Sequence, residues 1–191
     1  RVLAGSFMML VGVSLALSSR APFRGSAYLR RLAKIGVAAA AITLVTSYAF
    51  PATFIYFGIL HAIAVATLVG TLFLRTPWWV SLAAGVAVVV VPSLWQSEFF
   101  DTRWLAWIGF AQTVPPSNDF VPIFPWVGVT LFGVAGTKVL VDKGKEDKLD
   151  RFLPVGRSED ALIWMGKRSL MIYLLHQPIM LAIIIPLSRI I

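Results

Sequence analysis

Long apolar runs separated by short polar stretches dominate this chain. Six of them, 2–18, 35–50, 55–74, 78–95, 123–141 and 169–186, carry few or no charges, with boundaries good to a few residues. At about 1.5 Å per residue, runs of this length approach the ~30 Å hydrocarbon core of a bilayer. They are expected to be helices, because a helix satisfies its own backbone groups in lipid. The expected fold is therefore all-α, a polytopic transmembrane helix bundle forming a single domain over 1–191. Two loop segments are expected to be structured as well. Residues 102–112, TRWLAWIGFAQ, mix tryptophans with polar groups and suit an interfacial helix. Residues 158–165 open with Ser158, Glu159 and Asp160, a good helix start, and Gly166 separates them from the last run.

Composition supports this reading. The chain has 191 residues, 58% hydrophobic and 14% charged, against roughly 25% charged in an ordinary soluble domain. Its net charge of +8 would suggest nucleic acid in a soluble protein. Here the cations concentrate in loops, so no nucleic-acid partner is inferred and the bilayer takes its place. Arg20, Arg24, Arg30, Arg31 and Lys34 follow the first run, Arg75 follows the third, and Lys143, Lys145, Lys148, Arg151, Arg157, Lys167 and Arg168 follow the fifth. The loop after the fourth run has Glu98, Asp101 and Asp119 against Arg103. By the positive-inside rule, loops 19–34, 75–77 and 142–168 face the cytoplasm, in a cell (inner) membrane. The first run then starts on the outer side, and with Arg1 in place of Met this leads us to expect a further helix upstream. Cysteine is absent, which excludes disulfides and thiolate chemistry. Two histidines far apart in sequence give no metal site.

Few groups remain that can do chemistry. His176 lies about 10 Å into the last run, beside Pro178, which leaves the Leu174 carbonyl without its helical partner. An intramembrane imidazole there is either catalytic or ligand-orienting, with Gln177 as a second polar contact to substrate, or it makes an interhelical hydrogen bond. His61, in FGILHAIA, lies at a different depth, about 9 Å from the opposite end of its run; it too is a base or a packed polar residue. Asp119, in PPSNDFVPIFPW, orients a histidine, binds a sugar hydroxyl, or serves as a turn and cap residue. Trp126 is an aromatic platform for a sugar or an interfacial anchor. Guanidinium groups such as Arg20 and Arg24 suit cofactor phosphates, although topology alone also accounts for them. Glycines 5, 12, 128, 133 and 136 suit close helix contacts. No phosphate-binding glycine loop, HExxH or nucleophile elbow is present.

Four stretches, FMMLVGVSLALSSR, FGILHAIAVATLVG, NDFVPIFPWVGVTLFGVAG and GKRSLMIYLLHQPIM, resemble the bacterial relatives of heparan-α-glucosaminide N-acetyltransferase, in family order over almost the whole chain. The resemblance implies a multi-pass acyltransferase that takes an acyl group from cytoplasmic acetyl-CoA to a glycan or amino-sugar acceptor on the outer side. It carries over His61, Asp119, Trp126, Arg168 and His176. The family's usual catalytic histidine would fall before Arg1. On this reading His61, His176 and Asp119 are the catalytic candidates, Arg20, Arg24, Lys167 and Arg168 hold acetyl-CoA, and Trp126 and Gln177 meet the acceptor. The alternative is a non-enzymatic, proton-coupled transporter of a small solute or lipid-linked sugar. The acceptor and the oligomeric state stay open, an oligomer being possible.

Overall fold

The computed structural model describes residues 2–20 and 25–144, which belong to one compact unit, Arg1–Gly144. The last predicted span, the short helix expected over 158–165, and Arg24, Lys167, Arg168, His176 and Gln177 lie outside the described residues.

Five α-helices are described: α1 (Val2–Ser18), α2 (Gly25–Ala49), α3 (Ile59–Leu72), α4 (Trp78–Leu94) and α5 (Ile123–Asp142). The first, fourth and fifth match their predicted runs to within a residue. The second begins ten residues earlier than expected, at Gly25, so Arg30, Arg31 and Lys34 sit on its opening turns and not in a loop. Two of the five, α2 and α5, are long and apolar enough to cross a membrane. The bundle is all-α and membrane-associated: large apolar residues of α2 such as Leu29, Val37, Leu44, Val45 and Tyr48 face outward, where only lipid or further protein makes them favourable.

α3 departs most from its predicted span. Its 14 residues extend about 21 Å, short of a ~30 Å core. Residues 53–58 precede it as non-helical chain, with Ile55, Phe57 and Gly58 buried against protein. Such backbone is tolerated at depth where protein supplies its hydrogen bonds. Here the Ile55 N–H donates to Thr46 Oγ1 at 3.1 Å, and Phe57 pairs with Phe120 as an isolated parallel bridge.

α5 is the central helix, packed against α1, α3 and α4, while α2 leans on α3. Contacts along the crossings fix the directions. Gly5 lies by Trp126 and Gly12 by Thr130 and Val134, so α1 and α5 run parallel. α3 starts beside Asp119 and ends beside Lys138, in the same direction. Tyr28 meets Thr71 and Thr43 meets His61, so α2 is antiparallel to α3. Gly85 of α4 meets Gly128, and Trp95 just beyond α4 reaches Phe110 near the start of α5. The helices therefore alternate up and down, as the loop charges require.

Glycine sets the closest crossings. A Cβ at Gly12 would collide with the Thr130 carbonyl oxygen, and one at Gly133 with that of Met9. Backbone approach of this kind replaces the hydrophobic effect as the source of helix affinity in lipid. Thr130 adds a buried hydrogen bond across the crossing, its Oγ1 donating to the Met8 carbonyl at 2.9 Å. Gly128 likewise meets α4, whereas a Cβ at Gly136 would meet nothing and one at Gly5 would only touch the Trp126 ring.

The loop after α4 is not the interfacial helix expected over 102–112. Residues 106–108 form a single 3-10 turn, ended by Gly109 at φ 111. A side chain at Gly109 would run into the Phe124 carbonyl, so this turn closes onto the entry of α5 and cannot continue as a helix. Trp95, Phe110 and Phe124 pack beneath it, with centroids 5.3 and 4.8 Å apart in sequence.

Candidate functional site

Two loops, residues 50–58 and 95–122, close the same end of the bundle and are stitched together by backbone. Asn118 N–H donates to the Thr53 carbonyl at 2.9 Å and Val121 N–H to that of Phe57 at 3.2 Å. This places Asp119 over the first turn of α3. Gly58, the residue before that helix, has no side chain with which to cap it, so Asp119 does so from sixty residues away: its Oδ2 accepts the Ile59 N–H at 2.9 Å. A carboxylate at a helix N-terminus is favoured both by the free N–H groups and by the helix dipole.

His61 is the third residue of the same helix. Its Nδ1 accepts the Gly58 N–H at 3.3 Å, and its Nε2 lies 3.3 Å from Thr43 Oγ1. Thr43 in turn donates its one hydroxyl proton to the Ile55 carbonyl at 2.7 Å. With that proton committed, Thr43 can only accept from His61, so the imidazole is neutral and carries its proton on Nε2. His61 and Asp119, far apart in sequence, thus meet at one helix terminus. Burial pushes the Asp119 carboxyl above its ordinary value, against the Ile59 N–H hydrogen bond and the pull His61 exerts when charged. Its Oδ1 has no hydrogen bond among the described residues.

Beside this pair lies a cleft of about 620 Å³ lined by Thr43, Phe54, Tyr56, Phe57, Val65, Arg103, Trp104 and Trp107. The Phe57 ring separates cleft from histidine, 5.3 Å from the His61 ring and stacked 5.4 Å from Trp107. Arg103 reaches over Phe54, its guanidinium 5.1 Å from the ring centre, and donates to the Ala52 carbonyl at 2.7 Å. Sequence reasoning singled out neither Thr43 nor this cleft. The available signal was a lone cation in an acidic loop, followed by two tryptophans.

The other described candidates, Trp126 and Arg20, are not part of the cleft lining. Trp126 is half-buried on the first turn of α5, with its ring toward Gly5 of α1. Arg20 is exposed just past the end of α1, at the opposite end of the bundle from Asp119. Among the described residues no group of His, Asp and Glu is placed to hold a metal ion.

An α-helical, membrane-associated bundle with a half-buried polar pair at one end defines a multi-pass membrane protein. The profile of the family "Heparan-alpha-glucosaminide N-acetyltransferase, catalytic" matches residues 1–178, and the chain belongs to that family. It is an acetyltransferase enzyme, acting on an amino-sugar or glycan acceptor, and family membership implies use of acetyl-CoA. No curated protein and no solved structure matches the chain significantly.

Proposed function

We propose that the chain transfers an acetyl group from acetyl-CoA, held from the cytoplasmic side, to an acceptor at the end closed by Asp119: the acceptor nitrogen bonds to the acetyl carbonyl carbon, the C–S bond breaks and CoA leaves as the thiol. The proposal includes six spans in one domain, with loops 19–34, 75–77 and 142–168 cytoplasmic in the inner membrane. The alternation of the five described helices supports it. So does the grouping of Arg20, Arg30, Arg31, Lys34, Arg75 and Lys143 at one end, opposite Glu98, Asp101 and Asp119.

At the basic end, exposed cations suit the phosphates of acetyl-CoA. Arg20, Arg30, Arg31 and Lys34 are all exposed there, and planar guanidinium groups match phosphate oxygens. In this reading Arg24, Lys167 and Arg168 complete the set, and His176 with Gln177 serves the same passage. Acetyl-CoA supplies an activated acyl thioester when bound.

At the other end, an acceptor amine attacks as the neutral base and must shed a proton as the amide forms. Asp119 is the group equipped to hold it, with an Oδ1 that makes no hydrogen bond among the described residues and a carboxyl whose proton affinity is raised by burial. Hydrogen bonds at both His61 nitrogens support reading it as a positioning residue for the Gly58–Ile59 turn under Asp119, and as a base once the Gly58 N–H releases Nδ1. Trp126 stands on the same end of α5 as a candidate acceptor contact. The observation that carries this reading is the meeting of Asp119 and His61 on one helix terminus beside a cleft.

The test is acetyl transfer from labelled acetyl-CoA to a glucosamine acceptor by the purified protein in proteoliposomes. Asp119→Asn keeps an oxygen for the Ile59 N–H, so it should fold while transfer falls by roughly 100-fold or more. Transfer by Asp119→Asn at near the parent rate would remove Asp119 from the chemistry.

A further inference from the structure

Helix α2 stands at the edge of the bundle. It is long and apolar enough to cross a membrane, yet it leans mainly on α3 and leaves most of its surface outward. Its inner side carries Ile35 and Ala39, both buried, and Thr46, which accepts the Ile55 N–H. On the opposite side, residues 30, 34, 37, 41, 44 and 48 follow at spacings of three and four, which aligns them on one face. All of them, Arg30, Lys34, Val37, Ala41, Leu44 and Tyr48, are exposed. A Cβ at Gly36 beside them would meet nothing within 4 Å.

The ends of this stripe are polar and its middle is not. From Arg30 to Tyr48 the helix rises about 27 Å, close to the ~30 Å hydrocarbon core. The two cations therefore stand at one membrane surface when Tyr48 stands at the other, where a phenol is favoured. Between them Val37 and Leu44 are 70% and 60% exposed, an extent that acyl chains or apolar protein make favourable.

Charge narrows the occupant. Arg30 and Lys34 lie on the opening turns of α2, whose first turn has no acid. That end of a helix is already positive, so two cations there call for an anion. Among the described residues no carboxylate pairs with either. Arg30 Nε donates to the Ser26 carbonyl at 3.3 Å, which draws the guanidinium back toward the helix start and leaves its terminal nitrogens for phosphate oxygens. Lys34 lies one turn further along the same face. A phosphate held by both continues into a tail along Val37, Ala41 and Leu44. A soluble nucleotide would use the cations and leave the apolar stripe bare.

We propose that this face of α2 binds an anionic phospholipid of the leaflet on the basic side. Its headgroup phosphate sits between Arg30 and Lys34, and an acyl chain covers Val37, Ala41 and Leu44. These two cations are thereby assigned to lipid and not to acetyl-CoA. The inner side of the same helix carries Thr43 and Thr46, so the lipid fixes the depth of the element that holds Ile55.

Native mass spectrometry of the purified protein in detergent, titrated with phosphatidylglycerol or phosphatidylcholine, tests this. The parent should bind its first phosphatidylglycerol roughly tenfold or more tightly than phosphatidylcholine, and Arg30→Gln/Lys34→Gln should lose that preference. Arg30→Lys/Lys34→Arg should retain most of it, which separates loss of charge from loss of folding. Arg75→Gln/Lys143→Gln removes the same charge from other elements at that end and should leave the preference standing. An equal loss in both neutralised double variants would mean diffuse attraction and overturns the site. Millimolar CoA should not displace the phosphatidylglycerol; displacement returns the pair to the nucleotide and overturns the assignment. Because the chain has no cysteine, a nitroxide on Val37→Cys in phosphatidylglycerol vesicles reads the cover directly. Oxygen should relax it strongly and a water-soluble nickel chelate weakly. Shielding from both shows protein over this face, a second copy or another segment of this chain, and overturns the proposal, as does ready access of the chelate.

Discussion

Thr43 Oγ1 stands 3.3 Å from His61 Nε2 while giving its own proton to the Ile55 carbonyl at 2.7 Å. One threonine on α2 thereby fixes the tautomer of a histidine on α3 and holds the non-helical chain that leads into that helix. Thr46, one turn further on, accepts the Ile55 N–H, so both backbone groups of Ile55 depend on α2.

Thr43→Val should therefore cost more than one ordinary hydrogen bond. It leaves the Ile55 carbonyl and the His61 N–H without these partners. Each lost interhelical bond is worth about 1 kcal/mol, so a loss of roughly 2 kcal/mol is expected. Thr43→Ser keeps the hydroxyl and should recover most of it. Unfolding of the purified protein in detergent, followed by circular dichroism, compares the two. Equal melting of Thr43→Val and the parent protein would show that the network does not hold α2 to α3.

Asp119 gives a pH dependence whose sign follows from its environment. Burial holds its folded-state pKa above the ordinary 3.8, so the folded protein keeps this proton to higher pH than the unfolded chain. Stability attributable to the group is greatest below that ordinary value and is lost as pH rises through the raised one. Asp119→Asn cannot titrate. The melting temperature of the parent minus that of the variant should therefore decrease between about pH 4 and pH 7. A difference that grows with pH would mean that the capping bond and the His61 charge outweigh burial.

Gly133→Ala probes the α1–α5 crossing. The added methyl meets the Met9 carbonyl oxygen, a backbone atom that cannot rotate away, so the helices must separate. Overpacking of this kind costs roughly 1–3 kcal/mol. Gly136→Ala, where nothing lies within 4 Å, should be neutral or slightly stabilising through helix propensity. Parallel melting curves separate the two, and an equal effect at both positions would deny that close approach matters here.

The helices were legible because lipid imposes one rule: uncharged runs of sufficient length become helices. That rule locates α1, α4 and α5 well. It fails at residues 55–58, which are as apolar as a helix yet run non-helically, because Thr43 and Thr46 satisfy Ile55 and Val121 satisfies Phe57. Hydropathy does not register partners supplied from another helix or loop. The same limit applies to the site. His61 and Asp119 stand out in the sequence as polar groups among apolar ones, but their meeting at Ile59 depends on the fold of the 95–122 loop. Thr43 resembles any threonine in a membrane helix, and only its geometry distinguishes it.

Lys138 shows how a cation inside an apolar run can be structural. It lies on the last turns of α5, within the predicted span 123–141, and its Nζ donates to the carbonyls of Phe73 and Thr76. Phe73 is the C-cap of α3, where carbonyls lack helical partners and the dipole favours positive charge. The lysine thus ties α5 to the turn between α3 and α4. Lys138→Met preserves the length of the side chain and removes both bonds. Hydrogen bonds from a charged donor are worth roughly 1.5–3 kcal/mol each, although the Phe73 carbonyl keeps the Thr76 N–H and hydroxyl as donors. A loss of at least roughly 2 kcal/mol in detergent is therefore expected. Lys138→Met melting with the parent protein would show that water satisfies these carbonyls equally well.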